Sequence, residues 1–388
     1  MPKTYKNKDN RKSKSKSKSK RKTRKHSKSK HSIIINDRPC KRTKNQVVYP
    51  PIKPYKKMLL KVDTLSDKKT DIKINVELIG NPKGYPLVYL HGGPGDYITP
   101  FLRRIFDPKV FNIVLFDQRG TGKSVPLRET RKNTTQHLIE DMEKLRKDVL
   151  GVDKWIVSGG SWGASLAVLY AQAHPQHTAG LLLRGFTDLN KTESLCPKEK
   201  DRSTLPTSYF NASYSSLYPE VMDSFYKKLN LKPRTKGRYI ISKLHKMVNS
   251  SNHKTRKNAA KIWANSGGTI MYLNPKENNA KKDDDTSKQR LTLTKIDLHY
   301  IKNDYFLKPN QIVHPENIKK IKNIPTIFVH GRYDVICPLV MAYDLHNQLN
   351  TSKLCIVKAG HTYYEPEIAE ALIKEQHELL KLCKKKLK

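Results

Sequence analysis

The stretch VSGGSWGASLAVLYAQAHP, residues 157–175, constrains this chain more than any other. A strand-like run leads into Gly159, Gly160, Ser161, Trp162 and Gly163, and a helix-forming run follows as far as Pro175. Each glycine adds backbone freedom that folding must remove, so three of them around one serine mark a geometric demand. G-x-S-x-G between a strand and a helix meets one. The chain reverses sharply, the serine takes strained backbone angles, and its hydroxyl projects outward. The helix beginning there aims its positive end at negative charge developing beside the serine.

The flanking sequence supplies the sheet such a turn needs. DIKINVELIG (71–80) alternates as a strand does, whereas PLVYLHG (86–92) and FNIVLFD (111–117) are nearly continuous apolar runs, as in strands buried on both faces. Leu138, Met142, Leu145 and Val149 recur at helical spacing, with Asn133 or Thr134 as cap and Gly151 as stop. KWIVSGG, AGLLLRG (179–185), PTIFVHG (325–331) and KLCIVKAG (353–360) read as further strands. Ile368, Leu372, Ile373, Leu379 and Leu380 mark a last amphipathic helix. Strands alternating with helices predict the α/β class with a mostly parallel sheet. Residues 188–310 break the pattern: they are polar, helical where legible, and include a low-complexity loop at 274–290. They predict a helical cap inserted between two parts of an α/β core, 46–187 and 311–388.

Charge defines the remaining segment. The net charge is +41, and the first 31 residues hold 15 Lys or Arg against one Asp. Residues 1–45 therefore read as a disordered, self-repelling basic tail. It suits non-specific nucleic-acid binding, nuclear import, or simple solvation. The five cysteines are odd in number and widely spaced, with no C-x-x-C pair, which argues against zinc and against a disulfide framework. No metal or cofactor motif is present. No apolar run approaches the roughly 20 residues that span a bilayer, and no signal peptide is visible. A soluble, cytoplasmic protein without a membrane partner is the expectation.

The serine needs partners. HGGPG (91–95) ends a predicted strand, so the backbone N–H groups of Gly93 and Trp162 are expected to form an oxyanion hole. His361 follows the last strand and Asp334 the one before it, giving the chain order Ser161, Asp334, His361. Asp188, after AGLLLRG, is the alternative acid. Gly92 and Trp162 are expected to line the substrate pocket, with Asp117 and Arg119 bracing loops beside it. Tyr333 and Tyr363 read as walls, and Trp263 as part of the cap core.

With these residues in view, the chain resembles the prolyl aminopeptidases (proline iminopeptidases), serine peptidases of the α/β-hydrolase fold. HGGPG, FDQRGTGKS (116–124), GGSWGASLAVLYAQAHP (159–175), GRYDVICP (331–338) and AGH (359–361) carry the likeness, which spans about residues 70–380. It implies removal of an N-terminal residue, usually proline, from a peptide by acyl transfer through Ser161 to water, without a cofactor. AAKIWANSGGT (259–269) and IDLHYIKNDYF (296–306) look like the family's cap segments. Where the family has two glutamates for the substrate's free amino group, this chain has Gly267 and Asp297. The resemblance thus assigns Asp297 to substrate binding and predicts weakened amine recognition. It leaves an esterase or amidase acting on small esters or amides as one alternative. A non-catalytic, nucleic-acid-associated protein is another.

Overall fold

The computed structural model describes residues 31–67, 69–189, 217–233, 235–273 and 284–385. Among them, nine strands join in one sheet: β1 (His31–Asn36), β2 (Lys56–Thr64), β3 (Asp71–Gly80), β4 (Tyr85–Leu90), β5 (Phe111–Phe116), β6 (Trp155–Gly160), β7 (Thr178–Arg184), β8 (Thr326–Gly331) and β9 (Ser352–Val357). Their order across the sheet is β1-β9-β8-β7-β6-β4-β5-β3-β2. β3 pairs antiparallel with β2 and β5, and the other pairings are parallel. The helices are α1 (Lys44–Val47), α2 (Thr135–Lys144), α3 (Trp162–Ala173), α4 (Pro219–Lys228), α5 (Gly237–Val248), α6 (His253–Thr269), α7 (Asp284–Lys302), α8 (Pro315–Ile321), α9 (Leu339–Gln348) and α10 (Pro366–Lys385).

The apolar runs form strands because both faces of the sheet are covered. One face packs Val88, Val114, Val157 and Phe328 against Leu138 and Met142 of α2 and Leu166 and Leu169 of α3. The other packs Leu87, Ile113, Ile156 and Ile327 against Ile368, Leu372, Leu379 and Leu380 of α10. Full burial of such a side chain is worth about 1.5–3 kcal/mol. Thr134 caps α2 by accepting the His137 N–H, and Gly151, at φ 63°, closes the turns that follow. The described cysteines Cys40, Cys337, Cys355 and Cys383 are unbridged. Among the described residues no helix is long and apolar enough to cross a membrane.

Between β7 and β8, helices α4–α7 gather round their own apolar cluster, which includes Phe225, Ile240, Leu244, Ile262, Trp263 and Leu298. α7 belongs to both bodies: Ile296 and Tyr300 join the core cluster, Leu298 and Ile301 the cap cluster.

Two sequence expectations need correction. The disordered tail expected over 1–45 does not extend that far, because β1 lies within it and α1 begins in it. HSIIIN pairs residue for residue with β9, its β-branched trio suiting a strand although the surrounding Lys and Ser hid it. The loop expected over 274–290 gives way to α7 from Asp284 onward. Residues 1–30, which carry the basic arm and its nucleic-acid and nuclear-import expectations, lie outside the described residues, as do 190–216 and 274–283 of the inserted region.

Candidate active site

Ser161, the HGGPG segment, Asp334 and His361 all follow the C-terminal ends of strands, from β6, β4, β8 and β9 respectively. In an open parallel sheet this is the edge where ligands bind. Ser161 has φ 57° and ψ −127°, a conformation that L-residues rarely adopt. The glycines around it make the turn possible. A Cβ on Gly159 would overlap the Gly163 carbonyl, and one on Gly163 the Leu90 carbonyl. The elbow is thereby pressed against the end of β4.

His361 is buried, and its Nδ1 lies 2.7 Å from Asp334 Oδ2. Asp334 Oδ1 accepts the Ile336 and Cys337 backbone N–H groups at 3.0 and 2.8 Å. Burial alone would raise the Asp334 carboxyl. The charge and hydrogen bond of His361 outweigh it, assisted by His330 and the Cys337 amide, and hold the group below its ordinary value. Asp188, the alternative acid, is buried with its backbone N–H against Met341 Sδ, and the Nδ1 of His361 is already met by Asp334.

The other imidazole nitrogen has an unexpected neighbour. Arg184, the last residue of β7, lies 4% exposed with Nη1 3.1 Å from His361 Nε2 and 3.0 Å from the His361 carbonyl. Its guanidinium also sits over the Tyr363 ring. The Ser161 hydroxyl faces Cys337 Sγ at 4.0 Å, and among the described residues no direct Ser161–His361 hydrogen bond is formed. Asp334, Cys337 and His361 are close enough to share a cation. Their chemistry points elsewhere. Burial, followed by the Asp334 charge, pushes the Cys337 thiol well above its ordinary value, and an arginine already occupies His361. A protonated thiol is neither a good ligand nor a good nucleophile.

The HGGPG loop lies against the elbow. A Cβ on Gly92 would come within 3.2 Å of Ser161 Cβ, while Gly93, at φ 106°, packs near Leu293 of α7. Gln118 ties the parts together. Its backbone N–H donates to His91 Nε2, its side-chain amide donates to the His91 carbonyl, and its Oε1 accepts the Trp162 indole N–H at 3.0 Å. Asp117 accepts the Ile98 and Lys123 N–H groups, and Arg119 grips Asp141 through two 2.7 Å bonds, so both brace loops. Tyr363 is buried under Arg184, whereas Tyr333 is exposed.

In the cap, Trp263 Nε1 donates to Asp297 Oδ2 at 2.8 Å. Burial pushes the Asp297 carboxyl up to about 7, partly offset by that bond. Gly267 has open space where its Cβ would be. Arg184, Cys337 and Gln118 were missed by sequence reasoning. An arginine closing an apolar strand, as in GLLLRG, was the available signal for the first.

Comparison with known proteins adds lineage to this geometry. A family profile described as alpha/beta hydrolase fold matches residues 85–367. The chain is 39% identical over 329 residues to a proline iminopeptidase of Arabidopsis thaliana, covering 84% of this chain and 80% of the relative. It is 37% identical to a probable proline iminopeptidase of Leptolyngbya boryana, covering 84% and 94%. Among solved structures, a thermophilic esterase from Thermogutta terrifontis superposes with TM-score 0.56 at 15% identity, covering 84% of this chain and 99% of that one. A proline iminopeptidase-related protein from Thermus thermophilus gives 0.50 at 18%, covering 84% and 98%. At such identities the structural likeness speaks for the fold.

Proposed function

The chain belongs to the proline iminopeptidase family of serine hydrolases with the alpha/beta hydrolase fold, and from that premise we propose that it releases an N-terminal, proline-like residue from peptides through a Ser161 acyl-enzyme. The hydrogen bonds of His361 carry this reading. Arginine only donates, so Nε2 is the acceptor and the ring proton sits on Nδ1, facing Asp334. That is the tautomer a general base requires. In the reaction His361 exchanges its Arg184 contact for the Ser161 hydroxyl and takes its proton as the oxygen attacks the scissile carbonyl. The N–H groups of Gly93 and Trp162 and the start of α3 receive the oxyanion. His361 then protonates the departing amine. Water, giving its proton to His361, cleaves the acyl-enzyme and restores the serine.

Asp297 is assigned to the substrate's ammonium group, oriented by Trp263. A carboxyl with a pKa of about 7 is only half-ionised at neutral pH, and Gly267 offers no second charge. An ammonium buried without full pairing costs several kcal/mol. These two features favour a second reading, an esterase or amidase of relaxed amine specificity.

A fluorophosphonate probe separates the mechanistic claim from its rivals. Labelling is expected in the wild type and absent in Ser161→Ala; labelling that survives the substitution overturns the assignment. Hydrolysis of prolyl amides and their N-blocked counterparts then divides the two readings. Preference for the free amine supports the peptidase, and equal rates support the esterase or amidase.

A further inference from the structure

Between the loop after β5 and helices α6 and α7 lies a cavity of about 720 Å³ that none of the proposed catalytic residues lines. Four cations line it from three elements: Arg128 and Arg131 from the loop, Arg256 from α6 and Lys295 from α7. One carboxylate, Glu129, shares the lining. It is already gripped by Arg131, through Nε at 3.0 Å and Nη2 at 2.7 Å. Arg256 uses Nη1 to hold the Ser250 and Ser251 carbonyls at 2.8 and 2.7 Å. The side chains of Arg128 and Lys295 make no hydrogen bond or ion pair among the described residues.

Cations are plentiful in a chain of net charge +41. On an open surface they stay hydrated and screened. Here they converge on one concavity in which Glu129, the one carboxylate among the described lining residues, is already paired with Arg131. Burial, followed by the Arg128 charge, holds the Lys295 amine below its ordinary value; the Glu129 charge opposes the shift without cancelling it, and Arg256 adds to it. The converging charges repel one another until an anion enters. The volume exceeds what one phosphate fills and lies within the usual range of small-molecule sites. Guanidinium groups match phosphate oxygens in geometry as well as charge.

We propose that this cavity binds a small anion bearing two or more phosphate groups, held by Arg128, Arg256 and Lys295 where the cap meets the core loop. Calorimetric titration of the full chain with inorganic pyrophosphate at fixed ionic strength tests it. The proteins compared are the wild type, Arg128→Gln, Lys295→Met and Lys381→Gln, the last removing one charge on α10, outside the cavity lining. Thermal melts without ligand establish that each is folded. Saturable binding is expected in the wild type and the α10 control, weakened at least about tenfold in both cavity variants. Equal affinity in all four places the anion elsewhere on the basic surface and overturns the site, as does the lack of saturable binding. Inorganic phosphate binding as tightly as pyrophosphate overturns the multi-phosphate assignment.

Discussion

Asp297 stands between two charge states at neutral pH, which makes its role measurable. Its raised pKa of about 7 favours the neutral carboxyl below that pH, so the carboxylate grows in as pH rises through 7. A substrate ammonium needs the carboxylate, whereas an N-blocked substrate does not. The ratio of kcat/KM for prolyl amide to that for the blocked compound should therefore rise about tenfold per pH unit below 7 and level off above it. Taking the ratio cancels any ionisation that affects both substrates alike. In Asp297→Asn the ratio should be flat; an unchanged slope would remove Asp297 from amine binding. The placement of Ser161, Asp334 and His361 after strand ends was legible in the sequence because each sits in a short motif dictated by local backbone geometry. Arg184 and Cys337 were not. Their contacts arise from burial and from neighbours far along the chain; the charge closing the apolar run GLLLRG was the one local sign of Arg184, and Cys337 had none.

Among the elements, β1 is the one that composition concealed. Its first residue stacks on α9, the His31 and His346 rings lying 3.8 Å apart with the Ser352 hydroxyl beside both. Burial, and then His31, lower His346 to about 4. A base with a depressed folded pKa stabilises the fold while neutral. That contribution is present above the ordinary value of 6.5 and is lost as pH falls towards 4. Hydrogen exchange at Ile33–Ile35, corrected for intrinsic rates, should show protection at pH 7 that falls near pH 4.5 more than it does in β8. His346→Phe should remove that difference; its persistence would place the pH sensitivity elsewhere. The central strands were readable because strands covered on both faces become apolar runs. β1 lies at the sheet edge with Ile33, Ile34 and Ile35 exposed, in a stretch dominated by charge.

Across the whole molecule, α7 couples cap to core through Tyr300. The ring packs against Trp162 at 5.1 Å, and its hydroxyl donates to Asn133 Oδ1 at 2.8 Å. Tyr300→Phe keeps the ring but strands a buried acceptor, so urea unfolding should show a loss of about 1–3 kcal/mol. Tyr300→Ala also leaves a cavity beside Trp162 and should cost about 3–5 kcal/mol. Equal losses in the two variants would mean that the ring contributes nothing beyond its hydroxyl. The partnership of cap and core was legible only as an interruption of the strand pattern, because the residues joining them are scattered along a helix of mixed polarity. The parallel register of β1 with β9 has a practical consequence. His31 lies level with Ser352, at the opposite end of the strands from Ser161 and His361. A bead or fusion partner tethered ahead of His31 would thus grip the molecule by its underside and leave the catalytic mouth facing bulk solution.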